Sequence, residues 1–234
     1  MALLTGCALT PTDRTQTPPE MAPGELIALP LFTAEDALET PWRKVVVWSD
    51  SEFTLVPDGE AVAIRAETDG ASAALVREVD IDAQSCPEVA WSWRVDEMPR
   101  EADLASRQRE DVAASILLAF GDPGSLTNPD QVPTLRYAWA TETNPVEQII
   151  DSPYFPGILR TLVVRSGRED LGVWVEERRN LLADYQRAFG ELPENPIEVF
   201  AVFTDSDHDN GPSVAQYRWA EALCTELPEP ESIF

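Results

Sequence analysis

Short apolar runs separated by turn signals recur along most of this chain, and their spacing limits the fold more than any other feature. Pro57-Asp58-Gly59 predicts a turn and Asp69-Gly70 a hairpin, because proline presets φ and glycine accepts positive φ. Such a series, with few helical segments, predicts an all-β-dominated fold, a jelly-roll-like antiparallel β-sandwich. The predicted strands cover residues 43–48, 53–56, 61–66, 73–79, 89–95, 112–120, 135–140, 158–166, 171–176, 197–203 and 214–224.

One or two short helices are expected between these strands. The first would begin at Asn144-Pro145, an N-cap residue followed by proline. The second would begin at Asn180 and end at Gly190, a residue typical of helix C-termini. Its apolar stripe is formed by Leu181, Tyr185 and Phe189.

The N-terminus predicts an exported, lipid-anchored protein. Leu4-Thr5-Gly6-Cys7-Ala8 resembles a bacterial lipobox, in which Cys7 would be lipidated. The basic and apolar segments that normally precede a lipobox are missing, so either translation starts further upstream or the match is accidental. We expect residues 1–7 to be a truncated signal remnant, 8–24 a disordered tether, 25–226 a single β-sandwich domain, and 227–234 an acidic tail. The expected compartment is the periplasmic side of a bacterial envelope, anchored at the outer membrane; an accidental lipobox would place the protein in the cytoplasm.

The cysteines and the charge fit that compartment. With Cys7 acylated, Cys86 and Cys224 remain as a pair that an oxidising periplasm would join by a disulfide; two buried free thiols are the alternative. The formal net charge of −25 repels phosphate backbones and anionic lipids. The sequence therefore predicts no nucleic-acid partner and a membrane contact only through the lipid anchor.

The densest polar stretch lies between two strands, at 204–211. Asp205, Asp207 and Asp209 alternate there, and alternate carboxylates suit a calcium ion. An EF-hand is excluded, because the glycine comes late, at Gly211, and Gln216 stands where that loop has glutamate. A calcium site within the sandwich and a solvated acidic turn remain as alternatives. His208 is the only histidine, which excludes histidine-rich zinc sites.

Aromatic and acidic residues supply further candidates. Trp91 and Trp93 alternate on one strand, so they form either a stacking platform for a sugar ring or a core ridge, and Arg94 faces the other side. Asp111 lies at the mouth of a buried strand. It could pair with Asp205 in a two-carboxylate glycosidase, since only geometry identifies such a pair.

Several of these motifs, taken in order, are similar to a bacterial family of unknown function, domain-of-unknown-function family 3047. The resemblance covers residues 40–224, and Ser115 stands where the family pattern has an arginine after its two acidic residues. The family has no established activity, so the resemblance supports fold and compartment more than function. The matching segments are 89–95, 102–104, 110–111, 137–139, 163–167, 174–179, 183–190 and 204–207.

The sequence leads to one main functional hypothesis and two alternatives. The main one is a non-catalytic envelope lipoprotein that binds carbohydrate or another envelope component; the alternatives are a glycan-acting hydrolase and a purely structural protein. No catalytic residue is assigned, calcium is the one cofactor considered, and the oligomeric state is left open. The expected ligand-binding residues are Trp93, Arg94, Asp111 and Asp184.

Overall fold

Thirteen strands and one helix form the fold of the computed structural model, which describes residues 26–124, 132–208 and 211–226. The predicted signal remnant with Cys7, the tether and the acidic tail lie outside these residues. The elements are β1 (Ile27–Thr33), β2 (Arg43–Trp48), β3 (Glu52–Asp58), β4 (Ala61–Asp69), β5 (Ser72–Ile81), β6 (Glu88–Glu97), β7 (Val112–Phe120), β8 (Thr134–Ala140), β9 (Ile149–Asp151), β10 (Leu159–Ser166), β11 (Val175–Asn180), α1 (Leu181–Phe189), β12 (Ile197–Asp205) and β13 (Pro212–Cys224).

The strands form two sheets that pack face to face. Sheet A has the order β11-β6-β13-β4-β3, and β1 also pairs with β13. Sheet B has the order β2-β5-β12-β7-β8-β10-β9. The pairs are antiparallel except for β8 with β10. This architecture confirms the predicted all-β-dominated, jelly-roll-like sandwich with a short helix.

Alternate aromatic side chains fill the space between the sheets. Trp91 and Trp93 point inward from β6 and meet Tyr137 and Trp139 of β8, with 5.1 Å between the ring centroids of Trp91 and Tyr137. Residues two apart on a strand share a face, so each aromatic pair places both rings in the core. Tyr217 on β13 adds another buried ring, and its hydroxyl donates to the carbonyl of Phe203 across the sandwich.

Helix α1 begins and ends where its capping residues predict. The side chain of Asn180 accepts a hydrogen bond from the backbone N–H of Ala183, and Gly190 closes the helix in the left-handed conformation. The helix predicted at Asn144-Pro145 is wrong, because the chain makes turns there. The Asn144 carboxamide instead accepts from the backbone N–H of Leu104, at 2.9 Å. Within the described residues, no helix is long and apolar enough to cross a membrane.

The turn at Asp69-Gly70 does not form the predicted hairpin. Strand β4 lies in sheet A and β5 in sheet B, so this turn carries the chain from one sheet to the other. Its polar groups bond to Ser206 rather than across a hairpin: Ser206 donates through its backbone N–H to Ala71 and through its hydroxyl to Thr68. The turn at Pro57-Asp58-Gly59 does join two paired strands, β3 and β4.

A disulfide joins Cys86 and Cys224, the two cysteines that the sequence analysis paired. Cys86 lies in the connection from β5 to β6, two residues before β6, and Cys224 ends β13, the neighbour of β6 in sheet A, so the bond joins this connection to the end of β13. In the chain-entropy view, closing a loop of 138 residues stabilises the fold by roughly 4–5 kcal/mol.

Candidate binding groove

The outer face of sheet B is apolar, although the core lies on the other side of the sheet. On β12, Phe200 and Val202 point into the core, whereas Val199, Ala201 and Phe203 point outward. The register places apolar residues of β5 and β7 beside them on the same face. The apolar floor consists of Val45, Ala74, Val76, Leu117, Ala119, Val132, Val199, Ala201 and Phe203.

This floor lies at the bottom of a groove of about 780 Å³. Residues 46–48 of β2 form one wall, and Tyr154, Phe155 and Ile158, ahead of β10, form the other. Two walls end in exposed aromatic rings, since Trp48 is 64% and Phe155 51% exposed. An open, apolar groove with aromatic rims is the kind of concavity in which proteins hold ligands.

A buried ion pair lies in the groove lining. Nη2 of Arg136 on β8 is 2.5 Å from Oε1 of Glu110, and the two side chains are 3% and 9% exposed. Nε of Arg136 also donates to the Thr161 hydroxyl on β10, at 2.7 Å. The arginine beside the acidic pair Glu110-Asp111 is thus Arg136, from the neighbouring strand. Ser115, which stands where the family pattern has an arginine, donates its hydroxyl to the carbonyl of Phe203.

Acidic residues close one end of the groove, where β12 ends. The side chain of Asp205 accepts from the backbone N–H of Asp207, and the Ser72 hydroxyl donates to Asp207, at 3.0 Å. Nδ1 of His208 is 2.5 Å from Asp207 and 3.4 Å from Asp111. On its other side, Nε2 of His208 is 2.7 Å from the hydroxyl oxygen of Tyr154. The loop end therefore contacts Tyr154 on one groove wall through His208, and Ser72 at the start of β5 through Asp207.

Negative charge accumulates at this end. Burial raises the pKa of Asp205 well above its ordinary range, and the neighbouring Asp207 and Asp111 raise it further. The protonated form of the Asp205 carboxyl is therefore favoured to a higher pH than that of a solvated aspartate. Groups with raised pKa values in clefts are frequent in functional sites.

The residues that converge on a common point differ from those predicted for calcium. Possible ligand atoms of Asp111, Asp207 and His208 lie within 4.8 Å of one another, whereas Asp205 bonds within its own loop. Asp209 lies outside the described residues. An imidazole nitrogen with two carboxylates suits a transition metal better than calcium, which prefers oxygen ligands alone.

The predicted ligand-binding residues do not meet in one place. Trp93 is fully buried between the sheets, so the stacking-platform interpretation is corrected and the core ridge is what forms. Arg94 lies on the outer face of sheet A, paired with Asp96 at 2.5 Å. Asp184 is buried on α1, where it pairs with Arg179 at 2.8 Å. Asp111 alone lies beside the acidic end of the groove, where its fully buried carboxylate accepts from the backbone N–H of His208.

Sequence reasoning missed the residues that shape the groove, namely Trp48, Arg136, Tyr154 and Phe155. One signal was present: 112–120 and 197–203 are apolar on both strand faces, although antiparallel sheets commonly leave one face to water. The core covers only one of those faces.

Comparison with known proteins gives a family and distant structural likenesses. The family DUF3047, described as "Protein of unknown function (DUF3047)", matches residues 40–220. A search of the curated proteins finds no match. Among solved structures, the carbohydrate-binding module CBM28, specific for non-crystalline cellulose, is 13% identical, with a TM-score of 0.35 over 82% of this chain and 90% of that one.

Two enzymes show a similar likeness. The family 11 xylanase from Neocallimastix patriciarum is 9% identical, with a TM-score of 0.35 over 80% of this chain and 89% of that chain. The agarase AgWH50C is 10% identical, with a TM-score of 0.34 over 88% of this chain; the match spans only 26% of the agarase. Similarities as distant as these do not assign a function.

Proposed function

Because this chain belongs to the DUF3047 family, whose function is unknown, we propose a function from its own surface. The β-sandwich is a non-catalytic domain of the bacterial cell envelope that binds a carbohydrate chain, or another envelope component, in the groove on sheet B. The single observation that carries the proposal is the open apolar floor between aromatic rims, on a sheet face that water would otherwise contact.

The groove contains the kinds of side chain that bind saccharides. Sugar rings present apolar faces to aromatic side chains, and Trp48 and Phe155 offer exposed rings on the two walls. The sugar hydroxyl groups need hydrogen-bond partners, and the Asp207 carboxylate and the Tyr154 hydroxyl at the acidic end of the groove can serve as such partners. The groove is open along the sheet, so an extended chain fits it better than a small enclosed ligand.

The envelope location rests on two supports. The Cys86–Cys224 disulfide fits an oxidising compartment. The lipobox-like segment around Cys7 supplies the proposed anchor. Expression of the full gene tests this: Cys7→Ser should move the protein from the membrane fraction to the soluble fraction, and equal membrane fractions for both proteins would remove the anchor from the proposal.

Calorimetric titration with neutral oligosaccharides and soluble envelope polysaccharides tests the groove. Trp48→Ala and Phe155→Ala should each weaken binding by about tenfold or more, as loss of an aromatic anchor does. Leu55→Ala is the matched control, because Leu55 is 47% exposed on β3 of sheet A. Absence of binding to every saccharide would leave a structural role instead, and equal binding by all three variants would exclude the groove as the binding site.

A hydrolase remains the second candidate, and the raised pKa of Asp205 favours it. A carboxyl that keeps its proton can act as a general acid at a glycosidic oxygen. Asp111 is a poor partner for substrate, since its side chain is fully buried. New reducing ends released from a bound polysaccharide, and lost in Asp205→Asn, would establish this candidate; unchanged chain length would exclude it.

A further inference from the structure

The edge strand β2 differs from the other edges of the sandwich. β2 pairs only with β5 among the described residues, so its outer row of backbone N–H and C=O groups faces outward. Val46, Val47 and Trp48 are consecutive on it and are all exposed, Val47 by 63%. An exposed apolar edge strand is a template for pairing with another strand.

Each of the other edges carries a feature that discourages pairing. β11 contains four charged residues in succession, 176–179, and β9 is three residues long. β3 contains Pro57, and β1 contains Pro30 beside a bulge. Charges, prolines, bulges and short length are the usual means of protecting an edge. Residues 45–48 of β2 contain no charge and no proline, and although the register of β2 with β5 is irregular between Val46 and Trp48, three consecutive exposed apolar residues distinguish this edge.

We propose that β2 is a homodimerisation strand, which pairs antiparallel with β2 of a second copy of this chain. In that arrangement, the charges at one end of the strand are complementary to the charges at the other end of the second copy's strand. The strand begins with Arg43 and Lys44, the only lysine of the chain, and the bend after it carries Asp50, followed by Glu52. Antiparallel pairing places the basic end of each copy against the acidic end of the other.

The negative charge of the protein restricts where two copies can contact each other. With a net charge of −25, two copies repel each other over most of their surfaces, so contact requires a basic segment such as the start of β2. Within one copy, Lys44 reaches Asp50 and Arg43 reaches Glu78, and the four side chains are between 39% and 74% exposed. Exposed pairs of this kind are weak, so they can exchange partners between copies.

The pairing leaves the groove open. The two-fold axis of an antiparallel strand pair stands perpendicular to the sheet, so the outer faces of both sheets B point to the same side. Val45, which lines the groove, keeps its contact with Ala74. The dimer therefore does not depend on whether the groove binds carbohydrate.

Sedimentation velocity over a concentration series, up to about 1 mM, tests the proposal. The unmodified chain should dimerise, and Val47→Lys should weaken dimerisation by at least about tenfold. Val146→Lys, at a residue 51% exposed in a turn, should dimerise normally. An unmodified chain that stays monomeric overturns the proposal, as does a dimer unaffected by Val47→Lys.

A pair of charge-reversal variants tests whether the two strands pair in the proposed antiparallel arrangement. Lys44→Glu and Asp50→Lys should each be monomeric, and an equimolar mixture of the two should form a heterodimer. Repair within one chain cannot explain that result, because each variant carries only one change. Near-ultraviolet circular dichroism confirms that both variants are folded. Folded variants that stay monomeric when mixed would overturn the proposed strand pairing.

Discussion

The outer faces of the two sheets differ in side-chain composition. On sheet A, polar side chains point outward and bond to one another, whereas sheet B presents alanine, valine, leucine and phenylalanine. An antiparallel sheet with water on one side needs polar residues on that side, and sheet A follows this rule. Sheet B does not, which indicates that its outer face is adapted to contact something other than water. The outward pairs of sheet A are Arg94–Asp96, Arg65–Glu67, Arg178–Glu88, Arg218–Asp58 and Gln216–Asp96.

The ion pairs show the same contrast. Arg178 on sheet A is 60% exposed, so its pair with Glu88 is solvated. Arg136 and Glu110 on sheet B are buried beneath the groove, where a charge that loses its partner cannot be solvated. Equal substitutions on the two sheets should therefore have very unequal costs.

The largest effect is expected at Arg136. Arg136→Leu should lower the free energy of unfolding by about 3–5 kcal/mol, because it leaves Glu110 buried and unpaired. Arg178→Leu should cost less than about 1 kcal/mol, as exposed pairs do. Urea denaturation measures both.

The double variant Arg136→Leu/Glu110→Leu separates a lost partner from a lost side-chain volume. It should recover most of the stability, since two apolar groups can replace a buried pair. If the double variant is as unstable as Arg136→Leu, the cost comes from packing and not from charge. The contrast between the faces would then lose its electrostatic basis.

Local chemistry in the sequence predicted the elements that depend on neighbours in the chain. Asn180 and Gly190 fix the ends of α1, and Pro57-Asp58-Gly59 joins β3 to β4. The turn at Asp69-Gly70 has similar chemistry but crosses between sheets, because Ser206, distant in sequence, bonds to it. Turn residues specify a reversal of the chain, but the sheet that receives the next strand is decided by such long-range contacts.

The groove could not be located by the same reasoning. Apolar runs such as 197–203 indicate a strand with two apolar faces, but they do not say what covers the second face. Trp93 and Trp48 are both tryptophans on strands; one is in the core and the other on a groove wall, and only the fold distinguishes them. Of the predicted residues, Asp111, Asp205 and Asp207 do lie together, because β12 ends where the adjacent antiparallel strand β7 begins.

Substitutions that fill the groove test whether saccharide binding uses the outer face of sheet B rather than that of sheet A. Ala201 and Ala90 are buried alanines on the outer faces of sheets B and A, in central strands. Ala201→Trp places a bulky ring on the groove floor and should weaken saccharide binding by about tenfold or more. Ala90→Trp should leave the titration unchanged. Equal binding by both variants would mean that the ligand does not use the floor.

The pH dependence of stability should have opposite signs on the two faces. Burial raises the pKa of Asp205, so its contribution is complete below about pH 4 and is lost as the pH rises through the raised value. The Arg218 guanidinium lowers the pKa of Asp58, so that contribution is present above about pH 4 and is lost as the pH falls through the lowered value.

Thermal unfolding of Asp205→Asn and Asp58→Asn between pH 3 and pH 8 reads out these signs. Relative to the unmodified chain, Asp205→Asn should gain stability as the pH rises, and Asp58→Asn should lose it. Parallel curves for Asp205→Asn and the unmodified chain would show that Asp205 ionises normally. The acidic end of the groove would then be solvated like sheet A.

The smallest expected effect is that of calcium, which should bind at the acidic end of sheet B and not on sheet A. With a Kd of about 1 mM, 10 mM calcium raises the free energy of unfolding by about 1.4 kcal/mol. The melting-temperature shift should vanish in Asp205→Asn/Asp207→Asn and persist in Asp96→Asn on sheet A. Because Asp111, Asp207 and His208 are the donors that converge, zinc is the informative second ion. A shift with zinc that requires His208 would transfer the site to those three residues, whereas no shift with either ion would leave the loop a structural turn that closes the groove.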